Sequence, residues 1–146
     1  MSNPYKLPYE EFLKSFKIVP GVAICLLLKD SNRGFLLTKR TIPPLQGYWH
    51  IPGIFLLKGE KLFDCIKRAA KEELKLNIKE DNFKLLGIFE DLDKDPRGHI
   101  IDIVYKYQIS DQLRLNLNDK SKKFFKELPK NIGFGHEKIL LYEPGR

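Results

Sequence analysis

The sequence predicts a layered α/β/α domain, and three observations support this prediction. Residues 22–29 (VAICLLLK) are apolar almost throughout, which is typical of a strand buried on both faces of a sheet. Residues 60–76 carry apolar side chains at steps of three and four, which predicts an amphipathic helix. Further strand-like segments are mixed with helix-like ones, and no repeat or low-complexity linker divides the chain. We therefore expect a single domain over residues 1–146.

The segments before the central helix are short and are separated by turn signals. Residues 8–16 predict a helix, because two phenylalanines lie four positions apart on one face. After the buried strand, Ser-Asn-Arg-Gly at residues 31–34 indicates a turn, and residues 34–40 (GFLLTKR) are its predicted hairpin partner. Residues 41–53 contain three prolines and two glycines, which predicts a structured loop.

The segments after the central helix predict two more strands and two more helices. Residues 83–89 and 99–109 are the predicted strands, and the acidic, turn-rich loop EDLDKDPRG separates them. Residues 120–128 predict a helix that ends before Pro129, because the residue preceding a proline disfavours helical geometry. Residues 135–141 predict a last short helix.

The charge balance is strongly basic. The chain has 26 lysines and arginines against 19 aspartates and glutamates, a formal net charge of +7. This excess favours anionic partners such as nucleotides, polyphosphates or nucleic acid, although a lysine-rich solvated surface is the simpler explanation. We rank nucleic acid last, because the lysines at positions 120, 122, 123 and 126 are clustered without interleaved aromatic residues.

The cysteines and the N-terminus indicate the compartment. Cys25 and Cys65 lie in apolar segments without a CxxC pattern, which predicts free core thiols in a reducing compartment. The N-terminus lacks the layout of a signal peptide, and the longest apolar run, residues 18–28, is too short to span a bilayer. We therefore expect a cytoplasmic protein without a membrane partner, and the sequence leaves a homodimer open.

Residues 53–76 (GIFLLKGEKLFDCIKRAAKEELKL) give the clearest indication of chemistry. Residues four apart share a helix face, so Glu73 lies one turn after Ala69, with Glu72 beside it. Two adjacent carboxylates repel each other unless a cation lies near them, and they suit octahedral Mg²⁺ or Mn²⁺. Such a metal would bind diphosphate oxygens and activate water. A solvated surface helix is the alternative explanation.

The same segment resembles the signature of the Nudix hydrolase family. That signature is Gly, five residues, Glu, seven residues, then Arg-Glu-apolar-x-Glu-Glu-x-Gly-apolar. Aligned on Glu60, the run RAAKEELKL begins at Arg68 and matches, except that Ile54, Ala69 and Lys75 depart from the pattern. LLTKR, PPLQGYWHIPG, DPRGHIIDIVY and GFGHEKIL also resemble Nudix segments, so the likeness covers most of residues 20–141. The resemblance implies a Nudix-type α/β/α sandwich with a mixed central sheet.

The resemblance also implies roles for the residues of the motif. Glu73, Glu72 and a backbone carbonyl near Gly53 would bind the metal, and Glu60 and Arg68 would orient the two glutamates. Because one carboxylate of the motif is missing, a single-metal site or weaker metal binding is implied. The implied activity is Mg²⁺-dependent hydrolysis of a nucleoside diphosphate linked to another moiety. The alternative is a catalytically impaired Nudix-fold module that binds or senses a nucleotide.

Two branches of the family are suggested by different parts of the chain. The run KRT…P…QGYW…PG resembles the GDP-mannose mannosyl hydrolases, in which water attacks the sugar carbon and an arginine stabilises the leaving diphosphate. Arg40 matches that arginine. DPRGH and GFGHEKIL are more similar to the branch that cleaves ADP-ribose and related dinucleotides at phosphorus. Both substrate classes therefore stay open at this point.

The remaining site residues are predicted from residue type. Titratable residues that could act as the general base are Glu90, Asp91, Asp93, His99, His136 and Glu137. Glu90 and His99 are our choice among them, although each has a structural alternative as a solvated or strand-capping residue. The candidates for substrate binding are Arg40, Tyr48, Trp49 and Arg97. Here the aromatic rings would stack on a base or sugar, or fill the core, and Arg97 would contact phosphate or face solvent.

Overall fold

The computed structural model of the chain describes residues 4–79, 82–109, 115 and 118–142. Within these residues a mixed, seven-stranded sheet has helices packed on both faces. The elements in chain order are α1 (Tyr9–Ser15), β1 (Gly21–Asp30), β2 (Gly34–Lys39), β3 (Trp49–His50), β4 (Gly53–Phe55), α2 (Leu62–Leu74), β5 (Lys84–Asp91), β6 (Ile100–Gln108), β7 (Lys122–Phe125) and α3 (Glu137–Leu140).

Strand β1 divides the apolar core into two. Successive side chains of a strand point to opposite faces, so its buried residues alternate between the two halves of the core. Ile24, Leu26 and Leu28 pack on the face that α2 covers. Cys25 and Leu27 pack on the other face, which α3 covers. The buried strand and the α/β/α layers predicted from the sequence are therefore confirmed.

The pairing of β1 determines where a site can form. The sheet runs β3-β2-β1-β6-β5, with β4 paired to β1 and β7 paired to β2. β1 is parallel to β6, which places Asp102 beside Ala23. β4 is antiparallel to β1, which places Gly53 opposite Cys25. Three distant segments thus meet at the first half of β1.

Residues 120–128 do not form the predicted helix. Lys122–Phe125 form β7 instead, antiparallel to β2. Phe124 packs into the half of the core below α2, and Phe125 packs into the opposite half. Only a strand sends neighbouring side chains to opposite faces, and this burial, with the pairing to β2, outweighs local preference. The helix prediction was wrong because β2, the strand that pairs with β7, is distant in sequence.

Residues 41–53, predicted as a loop, contain the short strand β3 and the first residue of β4, which form by pairing with the distant strands β2 and β1. The boundaries of the other predicted helices and strands differ from the predictions by about two residues at most, which is within the usual uncertainty of helix and strand ends. The main case is α2, which begins at Leu62 and leaves Glu60 in the preceding loop. Cys25 and Cys65 are both buried and free, as predicted. Within the ranges that the structure describes, no helix has the length and apolar character needed to cross a membrane.

Helix α2 ends in an unusual way, because Lys75 adopts the left-handed conformation with φ 56° and ψ 36°. Glycine takes this conformation without strain and is the common residue at such helix ends. We expect Lys75→Gly to raise the free energy of unfolding by about 0.5–1 kcal/mol, measured by chemical denaturation. The matched control Lys71→Gly, inside the helix, should lower it by about 1 kcal/mol. A loss of stability in Lys75→Gly would contradict the expectation.

Candidate active site

A cavity of about 900 Å³ lies between the first half of β1 and the second half of α2. Its polar lining falls into a few groups: two helix carboxylates, three other carboxylates, arginines, lysines, histidines, tyrosines, a serine and a cysteine. The members are Glu72, Glu73, Asp91, Asp95, Asp102, Arg40, Arg68, Arg97, Lys6, Lys58, His50, His136, Tyr5, Tyr9, Ser15 and Cys25. Both signs of charge therefore face one cavity.

A buried ion pair fixes the loop before α2 to the helix. Arg68 Nε donates to Glu60 Oε2 at 2.8 Å, and Arg68 Nη2 donates to Glu60 Oε1 at 3.0 Å and to the Phe55 carbonyl at 2.8 Å. The Glu60 side chain is 4% exposed, and it also accepts from the Leu57 N–H. Burial alone would raise the pKa of Glu60, but the hydrogen bonds from Arg68 and Leu57 outweigh it and lower that pKa. The pair is therefore ionised and holds the loop against the helix.

The two helix glutamates lie in different environments. Glu72 is about half exposed, and its Oε2 lies 3.5 Å from Arg68 Nη1. Glu73 is more buried, and burial together with repulsion from Glu72 raises its pKa. Ala69, one turn before Glu73, is fully buried in the apolar core and supplies no carboxylate. The pair thus carries negative charge that a bound cation would stabilise.

Gly53 lies where the chain approaches β1 most closely. A Cβ atom at this position would lie 2.6 Å from the Ile24 carbonyl oxygen and 3.1 Å from Cys25 Sγ. The first distance is shorter than real side chains allow, so only glycine fits. Gly53 also lines the cavity, and its role as a metal ligand stays a prediction.

Arg97 is held in the cavity wall by both charge and aromatic contact. Its Nε and Nη2 donate to Asp95 Oδ1 and Oδ2 at 3.0 and 2.8 Å. Its guanidinium carbon also lies 5.0 Å from the ring centre of Phe55 and 5.3 Å from that of Phe134. Such a paired and stacked guanidinium is pre-oriented, with little side-chain freedom left to lose on binding.

Arg40 reaches the same cavity from the loop after β2. Its Nη2 and Nε donate to the carbonyls of Pro43 and Pro44 at 2.9 and 3.2 Å, and its guanidinium carbon lies 5.5 Å from the Phe134 ring centre. Burial, and then repulsion from Arg97, lower the pKa of Arg40. Both arginines keep their charge near neutral pH. Their mutual repulsion is what an anionic ligand between them would relieve.

The N-terminal segment supplies an aromatic wall that sequence reasoning missed. Tyr5 and Tyr9 line the cavity and are more than 60% exposed. Tyr5 forms an antiparallel bridge with Lys58, and the ring centre of Phe12 lies 5.1 Å from that of Phe55. Aromatic residues at positions 5, 9, 12 and 16 have helical spacing, which could have indicated an aromatic face. That spacing could not show what the face covers.

A buried polar cluster forms another part of the lining. The Cys25 thiol donates to Asp102 Oδ1 at 3.6 Å, and burial raises the pKa of Asp102 to about 6. The Ile51 N–H donates to His136 Nδ1 at 3.0 Å, and burial lowers the pKa of His136 to about 3. The imidazole is therefore neutral at pH 7. Since Nδ1 accepts a hydrogen bond, its proton is on Nε2, which lies 4.0 Å from Asp102 Oδ2.

Four of the predicted site residues do not line the described cavity. Trp49 packs edge-to-face on Phe125 with ring centres 4.8 Å apart, and Tyr48 is 39% exposed on its loop. His99 Nε2 lies 3.4 Å from Glu90 Oε2, and neither residue belongs to the cavity lining. Their predicted roles stay predictions.

Two of the other base candidates do reach the cavity. Asp91 and His136 line it, whereas Asp93 and Glu137 line a separate surface depression. The Asp91 carboxylate accepts hydrogen bonds from backbone N–H groups of the turn that follows it, so it orders that turn. The Asp91 side chain therefore stabilises the loop that contains Arg97.

Comparisons with known proteins find a matching family model and related sequences. The model of the NUDIX domain matches residues 18–139. The chain is 36% identical over 133 residues to the ADP-ribose pyrophosphatase of Methanocaldococcus jannaschii. The alignment covers 88% of this chain and 76% of that protein. It is 33% identical over 85 residues to the low-salt glycan biosynthesis protein Agl8 of Haloferax volcanii, over 58% of this chain and 53% of that protein.

The fold is also shared with a solved structure of similar extent. The NUDIX domain of Shewanella oneidensis NrtR, crystallised with ADP ribose, superposes with a TM-score of 0.64. The match covers 92% of this chain and 95% of that one, at 20% sequence identity. At this identity the likeness concerns the fold alone.

Proposed function

The chain belongs to the Nudix family and is a Nudix hydrolase, and on that premise we propose that its substrate is ADP-ribose or a close relative. The observation that carries the proposal is that the arginines Arg40 and Arg97 and the carboxylates Glu72 and Glu73 line one cavity. Arginines bind diphosphate oxygens, and carboxylates hold the divalent metal that Nudix hydrolases use. A relative that matches 88% of this chain is an ADP-ribose pyrophosphatase.

We propose Mg²⁺ or Mn²⁺ as the metal, held by Glu73, Glu72 and the backbone carbonyl of Gly53. The donor set fits, because it consists of oxygen atoms, which these hard cations prefer. The raised pKa of Glu73 is consistent with a site that is electrostatically incomplete without a cation. When bound, the metal would neutralise diphosphate charge and activate the attacking water.

The chain's own residues would supply binding and orientation. Arg97, pre-oriented by Asp95, and Arg40 would grip the diphosphate from the wall opposite the helix. Arg68 would keep Glu72 in place through its contact at 3.5 Å, and Glu60 would in turn fix Arg68. The exposed tyrosine rings at the rim offer a stacking surface for the nucleobase.

The direct test is product analysis in ¹⁸O-labelled water with Mg²⁺. We expect ADP-ribose to yield AMP and ribose 5-phosphate, with the label in a phosphate, since attack at phosphorus is what a pyrophosphatase performs. GDP-mannose serves as the comparison substrate, and label in free mannose would support the nucleotide-sugar alternative and attack at carbon. No product from either compound would contradict the proposal.

One observation favours a second function. Ala69 leaves the cavity without the third carboxylate of the family motif, as in a domain that binds a nucleotide without hydrolysing it. Calorimetric binding of ADP-ribose that is tight, independent of Mg²⁺ and unaccompanied by turnover would establish the sensor and exclude the hydrolase.

A substitution of Arg40 tests the diphosphate contact. We expect Arg40→Gln to raise KM for ADP-ribose by about tenfold or more, because a charge-assisted hydrogen bond to phosphate is lost. The measurement is steady-state kinetics, with Arg33→Gln as the matched control on the opposite, exposed turn of the β1–β2 hairpin. Equal KM values for the two variants would show that Arg40 does not contact the substrate.

A further inference from the structure

The proposed reaction leaves one buried group of the cavity without a role. Cys25, Asp102 and His136 are each less than 5% exposed, and all three line the cavity. They come from β1, β6 and the residue just before α3, so the fold itself assembles them. Their ligand atoms lie within 4.8 Å of one another, which is close enough for a metal site.

The hydrogen bonding of His136 argues against a metal at this cluster. The Ile51 backbone N–H can only donate, so His136 Nδ1 must accept, and the ring proton is on Nε2. Nε2 is the nitrogen that faces Asp102, and a protonated nitrogen has no lone pair to offer a metal. The cluster is therefore a set of hydrogen-bonding groups, with two weak or distant donors directed at one carboxylate.

Asp102 is left with unused acceptor capacity. A carboxylate has about four lone-pair sites for hydrogen bonds. Among the described residues, Asp102 receives one hydrogen bond, from the Cys25 thiol, which is a weak donor. The His136 N–H lies 4.0 Å away, beyond hydrogen-bond distance. A buried carboxylate with so few hydrogen-bond partners destabilises the fold unless a molecule in the cavity donates a hydrogen bond to it.

We propose that Asp102 accepts a hydrogen bond from an uncharged donor of the substrate, a hydroxyl or an amino group, and so determines which nucleoside diphosphate derivatives are hydrolysed. The proposal rests on the proposed function and adds the specificity of the same cavity. Phosphate is excluded as the partner, since it would repel Asp102 and its neighbours Asp91 and Asp95. In this proposal Arg40 and Arg97 bind the diphosphate, and Asp102 binds a neighbouring group of the substrate.

The donor could belong to the nucleobase or to the terminal sugar, and two kinds of analogue separate these sources. The first is the purine analogue of ADP-ribose, in which hydrogen replaces the 6-amino group of adenine. The second is a set of ADP-ribose analogues that each lack one hydroxyl of the terminal ribose. We expect the wild type to discriminate against at least one of these analogues by about tenfold or more in kcat/KM, because a buried acceptor is then left unpaired.

The variant Asp102→Leu tests whether this carboxylate causes the discrimination, because leucine has a similar size and no hydrogen-bond acceptor. It should reduce the preference to within about threefold, while the exposed control Asp119→Leu keeps the wild-type ratio. Unchanged ratios in a folded Asp102→Leu protein would overturn the proposal, as would a wild type that accepts all the analogues as well as ADP-ribose. If Asp102→Leu does not fold, Asp102→Ala, which also lacks an acceptor, takes its place in the same comparison.

Binding measurements keep this proposal separable from the proposed function. If the wild type binds ADP-ribose without hydrolysing it, the hydrolase proposal fails, and the same ratios taken from Kd values still decide the role of Asp102. A wild type that does not bind ADP-ribose at all overturns the role of Asp102 as stated.

Discussion

Replacing Glu73 by glutamine is expected to lower kcat/KM for ADP-ribose by about 100-fold or more, a loss of several kcal/mol of transition-state stabilisation. The amide has the size of the carboxylate but no charge, so it weakens the proposed metal site without changing its shape. Because position 69 is an alanine, no carboxylate one turn earlier on the same helix face can take over the role. Steady-state kinetics over a range of Mg²⁺ concentrations would measure the loss.

Two comparisons make the Glu73 result specific. Glu72→Gln should cost less activity, because Glu72 is about half exposed and contacts Arg68 only at 3.5 Å. The metal-free Glu73→Gln protein should be as stable as the wild type or more so, since burial and Glu72 disfavour the charge that is removed. Full activity of Glu73→Gln would show that this residue is not a metal ligand.

The parts of the fold that follow from the sequence are those with strong local periodicity. The unbroken apolar run of β1 and the three-and-four spacing of α2 each leave only one way to bury their side chains. Their mutual packing then implies the layers. By contrast, β7 depends on pairing with β2, about 85 residues earlier in the chain, and no local pattern of residues 120–128 reports that partner.

The same distinction between local patterns and long-range contacts applies to the candidate site. Glu60, Arg68, Glu72 and Glu73 lie within one local motif, so their spacing and the family resemblance together place them near the cavity. Asp102 and His136 are brought near each other only by the parallel pairing of β6 with β1 and by the chain returning over the sheet. The sequence therefore indicated the helix glutamates and the arginines Arg40 and Arg97, but it did not indicate Asp102 or the N-terminal tyrosines.

Breaking the buried pair between Glu60 and Arg68 is expected to give the largest loss of stability. Arg68→Met should lower the free energy of unfolding by about 3 kcal/mol, because it leaves Glu60, with a side chain only 4% exposed, without its cationic partner. This loss is at the lower end of the range of about 3–5 kcal/mol for breaking buried ion pairs, because the Arg68 side chain is 23% exposed. Chemical denaturation at pH 7 would measure it. Arg33→Met, which breaks an exposed pair, should change stability far less.

The pH dependence and a double variant identify the buried charge as the cause. In the wild type the pKa of Glu60 is lowered, so the pair stabilises the fold above the ordinary glutamate pKa and loses this contribution as pH falls through the lowered value. In Arg68→Met, burial disfavours the charge of Glu60, which has lost its cationic partner. Protonation of Glu60 in acid therefore stabilises the variant, whereas it destabilises the wild type. The stability difference between the wild type and Arg68→Met should therefore shrink as the pH is lowered towards 4, the ordinary glutamate pKa being about 4.3.

Adding Glu60→Gln to Arg68→Met should recover part of the loss of stability at pH 7, because no buried charge is left. A difference that is independent of pH and is not reduced by Glu60→Gln would mean that Arg68 stabilises the fold through packing alone.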